Sequence, residues 1–338
     1  MSNLKTILQA KDLKLGYRKG PKETVVAENI SFELKTGELT CLLGPNGVGK
    51  STVLKAIHGQ NPPLEGSLLF EGKPLSSFDQ TDLARKISVV LTEKITSANL
   101  TVGQLVALGR TPHTGWLGRL NPTDKEIVEN AIKATNTEYL HDRRLSELSD
   151  GQLQKVMIAR ALAQDGELMI LDEPTAHLDL VNRYEIMHLL RQIAQTRNKA
   201  ILVVTHDLDI ALETADQFWI MQCGAPLITG LPEELVLQDK IDQLLQSDQL
   251  YFSLVSGKVQ IKAPSPSIDV KGPAHLIQWV NSALKKKNIS TQTLNRHFSI
   301  QILEAPLRYE VTDSSGKTMH SSLTEMIEHI QKSKSSII

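Results

Sequence analysis

The chain has 338 residues, 41% hydrophobic and 22% charged, with a formal net charge of −1. That length allows one large or two ordinary domains and ample material for a core. Near-neutrality predicts no nucleic-acid partner, and no apolar run approaches the roughly 18 residues that signal a membrane span.

The opening Met-Ser-Asn-Leu-Lys-Thr lacks an apolar signal core. Two cysteines, Cys41 and Cys223, give neither a disulfide framework nor zinc spacing, so a reducing cytoplasm is expected. From Tyr251 onward there are eleven lysines and arginines against six acids. A solvated face accounts for a bias of that size.

In chain order, Ile7 to Leu34 alternates loosely, as antiparallel strands do. Tyr17 closes the first of them, either as a platform for a base or as an ordinary packed tyrosine. Leu39 to Leu43 reads as a buried strand and Ser51 to His58 as a helix. Between them, Gly44-Pro45-Asn46-Gly47-Val48-Gly49-Lys50-Ser51-Thr52 fits G-x-x-x-x-G-K-[ST]. Glycines there let backbone N–H groups converge on phosphate oxygens, and the helix N-terminus adds its positive dipole. Lys50 can reach the β- and γ-phosphates, and the Ser51 hydroxyl can ligate Mg²⁺. This stretch predicts binding of a nucleoside triphosphate.

Strands follow at Gly66–Phe70 and Ile87–Leu91, then a helical pattern from Thr101 to about Leu145. Ser149 and Gln152 form a capping box ahead of a helix, a second N-terminus able to hold an anion or merely a capped one. Leu168–Leu171 is a buried strand ending in Asp172 and Glu173. Acids at that edge can hold Mg²⁺ (Asp172) or activate water (Glu173), or they are simply solvated. Ala176–Asp179 leads into a helix. Ala200–Val204 is another buried strand, and His206 after it either touches a phosphate or sits in a surface loop. Phe218–Met221 reads as the last core strand. Ala263-Pro-Ser-Pro-Ser267 is the clearest linker signal. Beyond it a helix, two strands and a final helix form a small αββα-like unit.

Together these stretches resemble the ATPase subunit of an ATP-binding cassette (ABC) transporter over roughly Leu4 to Leu245. The resemblance implies an α/β fold: a P-loop NTPase core of mostly parallel sheet, with an antiparallel β subdomain and a helical subdomain. The organisation expected is a nucleotide-binding domain at 1–250 with its helical subdomain at about 93–165, a linker at 251–267, and a small C-terminal α/β domain at 268–334. ATP and Mg²⁺ are the implied ligands. The family's places fall on Tyr17 (adenine stacking), Gly44 to Thr52 (phosphate loop), Asp172 (metal), Glu173 (catalytic glutamate), Asp179 (D-loop) and His206 (switch histidine). The signature, usually L-S-G-G-Q, falls on Leu148 to Gln152, comprising Ser149, Asp150, Gly151 and Gln152. Asp150 replaces a glycine there, and Thr92 stands where the family places a metal-reaching glutamine. Gly109-Arg-Thr-Pro-His-Thr-Gly115 resembles importers of iron chelates, heme and cobalamin.

The resemblance implies a homodimer in which the signature of one copy closes on ATP held by the other. Two membrane-spanning permease subunits and, indirectly, a substrate-binding protein would be its partners, at the inner face of the cell membrane. The competing readings are a soluble non-transport ABC ATPase and a nucleotide-dependent regulatory switch.

Overall fold

The structure is a computed structural model, describing residues 4–20, 22–91, 99–245, 247, 249–262, 268–289, 298–313 and 316–335. The chain divides into two compact units, Met1–Gln260 and Ile261–Ile338.

The first unit is built on a six-stranded sheet. Its strands are β3 (Leu39–Leu43), β6 (Ile87–Val90), β7 (Leu168–Asp172), β8 (Ala200–Val204), β9 (Gln217–Ile220) and β10 (Ile228–Gly230). The order is β10-β9-β3-β8-β7-β6, parallel throughout except for β10, which runs antiparallel to β9. All five residues of both β3 and β8 are buried, as parallel strands covered on both faces must be. Alternation then divides the core. Leu39, Cys41 and Leu43 join one apolar cluster and Leu42 the other. Burial pushes the Cys41 thiol far above its ordinary value, so it behaves as a small apolar side chain.

On one side lies a second, antiparallel sheet, with β1 (Thr6–Lys19) between β2 (Lys22–Lys35) and β4 (Glu65–Phe70), and β5 (Lys73–Pro74) at the edge. Helix α1 (Lys50–Ile57) shares its cluster, while α2 (Gln80–Lys86) leads into β6. On the other side stand α3 (Val102–Ala107), a 3₁₀ segment Leu108–His113, α4 (Pro122–Ala134), α5 (Asp150–Ala163) and α6 (Leu180–Arg197). Helices α7 (Leu208–Thr214) and α8 (Pro232–Leu237) complete the unit. No helix among the described residues is long and apolar enough to cross a membrane.

Phe218–Ile220 is the last buried strand, within β9, and β10, three residues with none buried, pairs beyond it at the sheet edge. Two expectations need correction. The stretch from 251, expected to be linker, begins as a hairpin of β11 (Leu250–Ser253) and β12 (Lys258–Ile261). Buried Phe252 and a 2.5 Å bond from its N–H to Asp242 Oδ1 hold that hairpin.

Among its described residues the second unit reads βαβββα rather than αββα. Its sheet runs β13 (Asp269–Lys271), β14 (Ser299–Glu304), β15 (Leu307–Asp313), β16 (Gly316–His320), with α9 (Ala274–Lys286) and α10 (Leu323–Ser335). β13 is short and β16 has no buried residue, so backbone pairing rather than hydrophobic pattern makes them strands. The core is Val280, Leu284, Ile300, Ile302, Val311, Met326 and Ile330.

Candidate functional site

At the C-terminal end of β3 the chain turns through Gly44–Gly49 into α1. Gly47 and Gly49 hold φ of 80° and 114°, left-handed values that favour glycine. A Cβ on Gly44 would lie 2.5 Å from the Met221 carbonyl oxygen. Val48 is buried and pins the loop, while Asn46 and Gly47 are exposed. Lys50 arches back over it: Nζ donates to the carbonyls of Gly44 at 2.6 Å and Pro45 at 3.0 Å. Burial pushes the Lys50 ammonium down, and the charges of Glu173 and Asp172 oppose that shift. A cation is thus held at the mouth of a glycine-lined cradle, facing the strand-end acids.

Ser51 is exposed and Thr52 buried in the first turn of α1. The hydroxyls of Tyr17 and Thr52 lie 3.4 Å apart, which brings the aromatic at the end of β1 to the phosphate loop. Tyr17 remains 43% exposed, so part of its ring is open to a ligand.

β7 and β8 deliver the acids and the histidine. Glu173 takes φ 50°, and its N–H extends the ladder to Val204 O at 2.9 Å. Left-handed backbone is uncommon for a non-glycine residue and concentrates at functional sites. Glu173 Oε2 lies 2.8 Å from His206 Nδ1. Burial, then the neighbouring Glu173 charge, raise Asp172 above the usual carboxylate range, with Lys50 opposing. Ser51 and Asp172 line one cavity of about 530 Å³, together with His58 and Arg160. Thr92 lies outside the described residues.

The second cluster is Ser149–Gln152 with Asp179. Ser149 caps α5 in a reciprocal box: its Oγ accepts from Gln152 N–H, and Gln152 Oε1 accepts from Ser149 N–H at 3.0 Å. Asp150 falls in the first turn, where negative charge suits the helix dipole. Asp179 caps α6 by accepting from Asn182 N–H at 2.8 Å, and Asn182 Nδ2 donates to its other oxygen at 2.8 Å. Gly151 packs against that same Asn182, so that a Cβ would overlap Asn182 Oδ1. Gly151 and Asp179 therefore meet through Asn182 within one chain.

Sequence reasoning missed Asn182 and Asp207. Asp207 accepts from Thr175 Oγ1 at 3.0 Å and pairs with Arg183 at 3.4 Å, tying the segment after β7 to the segment after β8. The D-x-x-N spacing of Asp179 and Asn182 signalled a cap, whereas nothing local marked Asp207.

The ABC transporter family model matches residues 27–176. An uncharacterized ABC transporter ATP-binding protein of Methanocaldococcus jannaschii is 39% identical over 256 residues, 76% of this chain and 87% of the relative. The chain belongs to the ABC transporter family of ATP-binding subunits. An ATP-binding protein for iron(3+)-hydroxamate import from Bacillus subtilis is 34% identical, over 71% of this chain and 88% of that one. A dimeric bacterial ABC transporter cassette superposes with a TM-score of 0.55 at 26% identity, covering 67% of this chain and 99% of that one. The ABC subunit is an ATPase coupled to transport, on a P-loop NTPase fold.

Proposed function

We propose that this subunit energises an importer of an iron chelate or a heme- or cobalamin-like molecule. It works as a dimer of two copies on two membrane-spanning permeases, which receive cargo from a substrate-binding protein. The iron(3+)-hydroxamate relative supports the cargo class, and the dimeric cassette supports the pairing of copies. The observation that carries the reading is the Glu173–His206 pair beside a glycine cradle closed by Lys50.

In this reading Gly44 to Thr52 hold the phosphates, with Lys50 released from its carbonyls to meet them. Tyr17 stacks on the base. Ser149, Asp150, Gly151 and Gln152 of one copy, helped by Asp179, complete the site of the other. The Ser51 hydroxyl and Asp172 carboxylate line one cavity and are hard oxygen donors, so the residues present fit Mg²⁺. When bound, that ion neutralises charge on the phosphate oxygens. Glu173 orients the attacking water and accepts its proton, and His206 is held against Glu173 so that its ring faces the same reaction. The subunit sits against the inner face of the membrane through its permeases.

The test is Mg²⁺-dependent ATP hydrolysis by the purified chain, together with uptake of an iron(3+)-hydroxamate complex by cells carrying or lacking the gene. Co-purification with a multi-span membrane protein supports transport. Recovery only with ribosomes or DNA would sink it.

A further inference from the structure

Gly109-Arg-Thr-Pro-His113 has no place in the nucleotide chemistry, yet Gly109, Arg110 and His113 all meet the C-terminal end of α5. A Cβ on Gly109 would run into the Arg160 carbonyl oxygen, so the backbone packs directly on the helix. Arg110, buried, donates from Nη1 to the Ala163 carbonyl at 3.0 Å and from Nε to Asp124 Oδ1 at 2.9 Å. Asp124 belongs to the capping box of α4 with Asn121. His113 Nε2 lies 2.8 Å from the Gln164 carbonyl oxygen. That oxygen can only accept, so Nε2 carries the proton. These bonds satisfy carbonyls that a helix end leaves without intrahelical partners.

The same point is tied to the core. Gln164 Nε2 donates to the carbonyls of Ala84 at 2.6 Å and Ile87 at 2.9 Å, where α2 passes into β6. Arg85 Nε donates to the Pro112 carbonyl at 2.9 Å. One end of α5 is therefore fastened on both sides, while its other end carries Ser149–Gln152. With 14 residues at about 1.5 Å each, the helix is a lever of roughly 20 Å.

We infer that Gly109–His113 and Gln164 form the joint that aims the signature helix, with Arg110, His113 and Gln164 as positioning residues. This rests on the two-copy reading above, in which the signature must meet nucleotide held by the second copy. Small angular errors at the joint become ångström displacements at the signature. Gln164, Ala84 and Ile87 also line the cavity that Ser51 and Asp172 share, whereas His113 does not, so nucleotide affinity is read on the His113 variants.

The experiment uses the full chain with His113→Phe, which removes the donor, and Gln164→Glu, which sets a carboxylate against two carbonyls. His113→Gln keeps an N–H donor. Arg110 is left alone, because breaking a buried ion pair endangers the fold. Each donor-breaking variant should lower kcat by about ten-fold or more, and for His113→Phe affinity for a fluorescent ATP analogue should stay within about two-fold. His113→Gln should stay within about three-fold of the unaltered kcat. Amide hydrogen exchange without nucleotide gives a readout independent of hydrolysis. Both donor-breaking variants should speed exchange in the first turns of α5 and leave α1 unchanged. The joint is overturned if kcat and exchange are unmoved, if the analogue affinity of His113→Phe falls in step with its kcat, or if His113→Gln is as impaired as His113→Phe. Absence of hydrolysis by the unaltered chain would sink the importer reading instead, and exchange would still decide the joint.

Discussion

Glu173 Oε2 and His206 Nδ1 lie 2.8 Å apart, joining the segments that follow two adjacent parallel strands. A carboxylate oxygen accepts, so Nδ1 donates. Glu173→Gln preserves shape and removes the base. It should lower kcat by about 10²–10⁴-fold, the usual contribution of a general base, with ATP-analogue affinity retained. Single-turnover hydrolysis and equilibrium binding check it. A variant keeping a tenth or more of the activity, by rough measure against that range, would remove Glu173 from the chemistry.

Asp172 carries a cost in the nucleotide-free protein. Its raised pKa, caused first by burial and then by Glu173, means the folded chain holds this proton to higher pH than the unfolded chain does. Stability therefore falls as pH rises from the ordinary aspartate value through the folded one, and the penalty is complete above it. Asp172→Asn removes the penalty at neutral pH. The nucleotide-free variant should melt above the parent and should lose the rise in Tm that Mg²⁺ and ATP give the parent. Scanning calorimetry with and without both ligands reads the two effects. A nucleotide-free Tm at or below the parent's contradicts the argument.

Gly151 lies against Asn182, the residue that Asp179 holds. Asn182 cannot swing away freely from a Cβ at position 151, because its backbone N–H and its Nδ2 both donate to Asp179. Gly151→Ala should therefore displace Asn182, cut turnover and leave ATP-analogue affinity near that of the parent. Gly151→Ala with Asn182→Ala restores the space, so the double variant should be less impaired than the two single effects summed. A coupling of about 0.5–3 kcal/mol is expected for residues in contact. Additive losses in kcat would show that the two positions act separately.

Much of this site was legible because its landmarks are local. The phosphate loop, the strand-end acids and the Ser149–Gln152 capping box each occupy a few consecutive residues whose chemistry reads directly. What stayed hidden is what the fold alone brings together. Asn182 meets Gly151 across 31 positions, and Asp207 meets Thr175 across 32. Strands β10, β13 and β16 were missed for a different reason. They are short or lack buried residues, and pairing with a neighbour rather than an apolar face makes them strands. Thr92, named for the metal, lies outside the described residues.

The second unit has its own core, and that makes its independence testable. Ile330 is fully buried among Leu284, Val311 and Met326. Truncating such a side chain costs about 2–5 kcal/mol. A domain of roughly 70 residues has only a few kcal/mol to lose, so Ile330→Ala should unfold it near body temperature. The first unit has two apolar clusters of its own. ATP binding should therefore survive, and calorimetry should show a low transition lost or shifted with the main one unmoved. Parallel loss of both transitions, or of analogue binding, would mean that the cassette needs the second unit to fold.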